Sequence, residues 1–102
     1  MSLVDTLRDM DIRAAYGKFD KQMKLPYAVV LGDGQQQIFA DNTIYDKRNT
    51  YTVEYYFQSK SSAREDALED GLLAEGYIYE KSEDVYIEDE RVFVIYYTVW
   101  HK

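Results

Sequence analysis

Cysteine is missing from this 102-residue chain, histidine occurs once, as His101, and proline once, as Pro26. Histidine and cysteine supply most nucleophiles, proton shuttles and transition-metal ligands, so the common instruments of catalysis are nearly absent. Without cysteine no disulfide can form, and the fold does not depend on an oxidising compartment. Cytoplasmic folding is the expectation. No apolar run approaches the ~20 residues that span a bilayer. Met1-Ser2-Leu3-Val4-Asp5 has no basic stretch leading into an apolar one, so no signal peptide is read. Gly32 and Gly34 are followed by neither the lysine nor the helix of a phosphate loop. No serine stands in a nucleophile-elbow pattern. Asp84, Glu88, Asp89 and Glu90 offer hard oxygen ligands, but their spacing does not match a calcium loop. They read as a solvated acidic loop that keeps a sheet edge from pairing. Nothing here asks for a metal, a cofactor or a small-molecule substrate.

Tyrosine, by contrast, is abundant, with 11 residues. Its apolar ring and polar tip suit half-buried strand faces and contact surfaces. The chain is rich in contact chemistry and poor in reaction chemistry, which points to an assembly part and not an enzyme.

The net charge is −7. That argues against ordinary nucleic-acid binding, which needs cationic patches to displace counterions. The charge is unevenly placed. Residues 61–90 hold eleven acids against the two bases Arg64 and Lys81, and the rest of the chain is close to neutral. Either the acids form a well-solvated face, or an acidic region of one copy meets a mildly basic region of another, head to tail.

The period of the apolar residues gives the elements. Ser2 and Asp5 form a capping box ahead of Leu3, Leu7 and Met10 at helical spacing. Ile12 to Phe19 reads as a packed, less regular segment broken at Gly17. Pro26 introduces a strand, Tyr27–Leu31. Gly32-Asp33-Gly34 contains the Asp-Gly signal of a tight turn, with Gln35–Ala40 returning antiparallel. A polar loop from Asp41 to Asn49 then leads to a long strand, Asn49–Ser59, in which Tyr51, Val53, Tyr55 and Phe57 share one face. Ser62-Ala63-Arg64-Glu65 is read as a second capping box, opening a helix with the apolar stripe Ala63, Ala67, Leu68, Leu72 and Leu73. Gly71 suggests close approach to the sheet. Gly76 suits a left-handed helix end. Tyr77–Glu80 is a short strand, Tyr86-Ile87 an apolar pair in an acidic loop or short strand, and Arg91–Trp100 a long strand apolar on both faces. The sum is a single α+β domain over residues 1–102, an antiparallel sheet of about four or five strands with two helices packed on one face.

Several of these pieces together carry a resemblance. They are Pro26-Tyr27, Ala40-Asp41-Asn42 followed by Tyr45, the strand Tyr51–Phe57 leading into the acidic helix Arg64–Ala74, Tyr79-Glu80, Tyr86-Ile87-Glu88-Asp89-Glu90, and Val94-Ile95-Tyr96-Tyr97. From Pro26 onward the chain resembles the tail-terminator, or head–tail joining, proteins of siphophages and of prophages in Gram-positive bacteria. The resemblance implies a subunit that forms a ring, commonly a hexamer. Such a ring caps the tail tube and joins it to a head-completion or connector protein, and DNA passes through without specific binding. It also implies a place in the host cytoplasm during assembly and then in the virion. The family brings no catalytic residues, and its contacts reduce to no short motif. Physical reasoning therefore supplies the candidate interface: Asp41, Asn42, Tyr45, Lys47 and Arg48 in the polar loop, Glu88, Glu90 and Arg91 in the acidic turn, and Tyr56, Tyr96 and Trp100 on an aromatic surface. Two other classes stand beside this one. A small acidic phage-encoded inhibitor or DNA mimic would act by protein binding, with carboxylates in place of phosphates. A small enzyme or ligand-binding domain would need a deep pocket with converging polar groups.

Overall fold

The computed structural model describes residues 2–19, 21–40 and 43–101, with the backbone alone described over 33–40 and 43–49. Among the described residues two helices and six strands follow in the order α1 (Leu3–Asp9), β1 (Arg13–Tyr16), β2 (Tyr27–Ala40), β3 (Thr43–Phe57), α2 (Ser62–Ala74), β4 (Tyr77–Lys81), β5 (Val85–Ile87) and β6 (Val92–His101). The strands make one sheet in the order β1-β2-β3-β6-β4, with β5 also on β6. β1 runs parallel to β2, and the other pairings are antiparallel. The fold is α+β, as the periodicity indicates, with a somewhat larger sheet.

The period-two rows of β3 and β6 lock the register. Val53 lies opposite Tyr97, Tyr55 opposite Ile95 and Phe57 opposite Phe93. That row meets Ala28 and Val30 of β2, Ala14 of β1 and Tyr77 of β4, and the helices lay Leu3, Leu7, Leu68 and Leu72 over it. Val29, Val92 and Val94 are also buried but stand outside this core. Their strand positions alternate with those of the core row, so they belong to the opposite face.

Helix termini follow local chemistry. Ser2 and Asp5 close the capping box of α1, and Gly76 ends α2 at φ +88°. At the start of α2 the cap is Ser61, whose hydroxyl accepts the Arg64 N–H, so the expected capping box from Ser62 to Glu65 is replaced by a simple cap one residue earlier. Along the helix Glu65 is buried with Leu68 and Leu72, while Ala63, Ala67 and Leu73 face solvent. Gly71 serves helix packing and not the sheet: a Cβ there would overlap the thioether of Met10, at the end of α1.

Three further expectations are corrected. Gly32-Asp33-Gly34 is not a turn. Gly32 pairs with Tyr51 and Gly34 with Thr50, so Asp33 is an extra residue in a continuous strand, and glycine in a strand marks such bulges. Gly32 also leaves room for the Tyr16 hydroxyl, 2.7 Å from where a Cβ would sit. Residues 43–49 are not a loop but the outer half of β3, paired with β2 as far as Ala40 opposite Thr43. The irregular segment after α1 contains β1.

The long hairpin dominates the shape. β1 leaves β2 after Val30, and β6 leaves β3 at Thr50. Beyond those points the hairpin continues as a two-stranded arm. The molecule measures 48 × 28 × 27 Å, with a radius of gyration of 14.8 Å, above the ~13 Å of a compact chain this long.

Candidate functional site

Both helices lie on one face of the sheet, and the candidate aromatic residues lie on the opposite face. Its inner positions are Glu54 and Tyr56 of β3, Tyr27 of β2, and Val94, Tyr96 and Trp100 of β6, with Glu54 opposite Tyr96 and Tyr56 opposite Val94. Tyr56 stacks on Tyr27 at 5.0 Å, and Phe19 meets Tyr27 edge-on at 5.4 Å. The Tyr56 hydroxyl donates to Glu54 Oε1 at 3.0 Å. Burial, and then that bond to a carboxylate, push the Tyr56 hydroxyl up from its ordinary range. Tyr27 rises by burial and by the charges of Glu90 and Glu54.

The segment 17–26, which joins β1 to β2, and the turn Glu88–Arg91, between β5 and β6, flank this aromatic group. Two adjoining clefts lie there. One, of about 460 Å³, is lined by Phe19, Tyr27, Glu54, Tyr56 and Glu90 among others. The second, of about 820 Å³, shares Gln22, Met23, Tyr27 and Glu90 with it. Arg91 sits in the turn at φ +55° and its N–H bonds the Glu88 carbonyl.

The structure thus brings together Tyr56, Tyr96, Glu90 and their neighbours Glu88 and Arg91 at one end of the open face. Trp100 lies farther along β6, opposite Thr50. Tyr45, Lys47 and Arg48 lie on the outer half of β3, where only the backbone is described; Tyr45 is the extra residue of a second irregularity, between Ile38–Asp46 and Phe39–Ile44. Asp41 and Asn42 lie outside the described residues.

A second cluster was not anticipated. On the helix face Glu65 is 3% exposed, with Lys60 at 2.8 Å and Lys81 at 3.0 Å. Lys60 reaches on to Asp84 at 3.0 Å. Glu69 takes Lys81 at 2.7 Å and accepts the hydroxyls of Tyr97 at 2.7 Å and Tyr79 at 3.2 Å. Burial alone would raise the Glu69 carboxyl, but the bonds from Lys81 and Tyr97 outweigh it and hold it below its ordinary value. Burial alone would lower Lys81, but its bonds to Glu69 and Glu65 hold it up at about 12. The signal in the sequence was Lys81, isolated among acids two strand positions beyond Tyr79.

His101 ends β6 and is not a frayed terminus. It pairs with Tyr77, its ring stands edge-on to the Tyr77 ring at 4.9 Å, and Nε2 lies 3.1 Å from the Glu75 carbonyl oxygen at the end of α2. Among the described residues no helix is long and apolar enough to cross a membrane. Compared with known proteins, the chain matches no protein-family model and no curated protein sequence.

Proposed function

We propose that the chain is a phage structural protein: a tail-terminator or head–tail joining subunit that assembles into a ring, in the hexameric case with six copies, on the end of the tail tube. The one-sided sheet carries this reading. Both helices are spent on one face, and the other presents Tyr96, 37% exposed, beside Tyr56, Glu54 and the Glu88–Arg91 turn. A subunit held between two neighbours needs surface on both sides, and aromatic residues at strand positions are the type that contact surfaces favour. The family resemblance and the uneven charge point the same way. On this reading the partners are further copies, the tail tube protein and a connector protein. DNA passes through the ring without being gripped, and the subunit has no catalytic role.

Adding the chain to tubes of the tail tube protein from the same phage or prophage genome tests the proposal. Electron microscopy is expected to show a ring on one end of each tube, formed more slowly at high salt because screening weakens steering between charged rims. Tubes that stay uncapped at every salt concentration would remove the proposal.

A further inference from the structure

The two outer strands of the sheet body end pairing deliberately. β1 offers an edge of four residues that opens on Arg13. β4 carries Glu80 and Lys81, and the edge then jogs at Ser82–Asp84 before the three residues of β5. Short length, charge and interruption are the devices by which natural sheets keep edges from pairing.

The hairpin arm lacks them on one side. From Gly34 to Ala40, β2 reads Gly-Gln-Gln-Gln-Ile-Phe-Ala, with no charge and no proline. Among the described residues no strand pairs β2 there on the side away from β3, and none pairs β3 over Thr43–Asn49 on the side away from β2. A lone two-stranded hairpin is marginal in water, and an unguarded edge this long is a template for another strand.

We propose that a second copy of this chain covers the arm, the β2 edge of one arm pairing with the β3 edge of the next around a closed ring. This inference rests on the ring reading above and names the contact that closes it. Like-to-like pairing fits less well. Joining two β3 edges brings Lys47 and Arg48 of both copies to one junction, and like charges opposed across strands are unfavourable. Joining two β2 edges leaves both β3 edges open. Pairing β2 with β3 sets a glutamine run against the strand that carries Lys47 and Arg48, and it uses both open edges of every arm. It is also a heterologous contact, the kind that generates rings. Rotation about an axis along the arms keeps each β2 running one way and each β3 the other, so every junction is antiparallel like the hairpin itself. Closure yields a barrel with two strands per copy and no edge left over.

The chain alone is sedimented from micromolar to millimolar concentration, with hydrogen exchange followed in parallel. The expected result is one discrete oligomer of more than two copies, in which amides of residues 35–40 and 43–49 exchange at least about tenfold more slowly than in the monomer. A variant with residues 34–49 replaced by Asn-Gly keeps the exchange pattern of the sheet body and stays monomeric. Gln35→Lys with Gln37→Lys, which adds guard charges and leaves the arm in place, raises the association midpoint at least about tenfold at low salt. A monomer at every concentration, a species that stops at two copies, or an armless variant that associates unchanged overturns the inference. An arm-dependent ring that never caps tail tubes leaves the inference standing and removes the proposed function instead.

Discussion

The two halves of the β2–β3 hairpin share one antiparallel ladder and differ in what lies beside them. In the inner half, Ala28, Val30, Val53 and Tyr55 are buried, β1 and β6 flank the pair, and two helices cover it. In the outer half the ladder continues from Gln35–Asn49 to Ala40–Thr43, and among the described residues no third strand lies beside it. Backbone pairing alone therefore does not distinguish the two halves. What differs is the edges: β1 and β6 close those of the inner half.

Substitutions in the body should show the largest effects. Leu68→Ala or Leu72→Ala removes a fully buried side chain from the core under α2 and is expected to cost about 2–5 kcal/mol in urea or thermal unfolding. Tyr97→Phe deletes the hydroxyl donated to Glu69 at 2.7 Å and leaves the ring in place; a loss of about 1.5–3 kcal/mol fits a bond to a charged acceptor. Lys81→Met leaves Glu65 with Lys60 as its remaining ion-pair partner and is expected to cost about 1–3 kcal/mol, since a buried acceptor that loses its donor retains its desolvation penalty. Replacing residues 34–49 by Asn-Gly should change the unfolding free energy of the monomer least, by about 0.5 kcal/mol or less, because a lone two-stranded hairpin is only marginally stable in water. An armless chain that unfolded several kcal/mol earlier would erase the distinction between the halves.

Acid titration sharpens the same contrast. The Glu69 carboxyl titrates lower in the folded protein than its ordinary value of 4.5. The unfolded chain therefore binds that proton more readily, and the stability Glu69 contributes is present above pH 4.5 and is lost as pH falls through its folded value. Glu69→Gln is expected to flatten the acid limb of a stability-against-pH curve below about pH 5. Lys81 works in the opposite direction. Its contribution is complete below its ordinary 10.5 and is lost as pH rises through about 12.

Where a core enforces alternation, the sequence was legible. The rows Tyr51–Phe57 and Phe93–Val99, the cap at Ser2 and the glycine end at Gly76 are where periodicity and capping chemistry put them. The arm was not legible in the same way, because Gly34-Gln35-Gln36-Gln37 and Asp46-Lys47-Arg48 do not alternate apolar with polar residues and so show no strand period. Asp33-Gly34 therefore read as a turn, and Asp46-Lys47-Arg48 as a loop. β1 was missed because four residues are too few to show a period. Glu65 was read as the acid of a capping box on an outward acidic face because a charge on a helix is normally outside, and its lysines, one before the helix and one on β4, make the inward position tenable. Of the candidate surface, Tyr56 and Tyr96 were visible as the alternate face of two strands. The role of segment 17–26 in flanking them depends on a crossover that no local pattern encodes.

The carboxylate of Glu65 has a consequence for motion. It joins Lys60 before α2 to Lys81 on β4, and Lys60 reaches on to Asp84 beyond it. Unwinding the first turn of α2 would strand a charge in an apolar site or carry both lysines with it. The first turn of α2 and the β4 edge should therefore open as one kinetic unit, with amides of residues 65–68 and 77–81 exchanging at a common rate set by a single opening event.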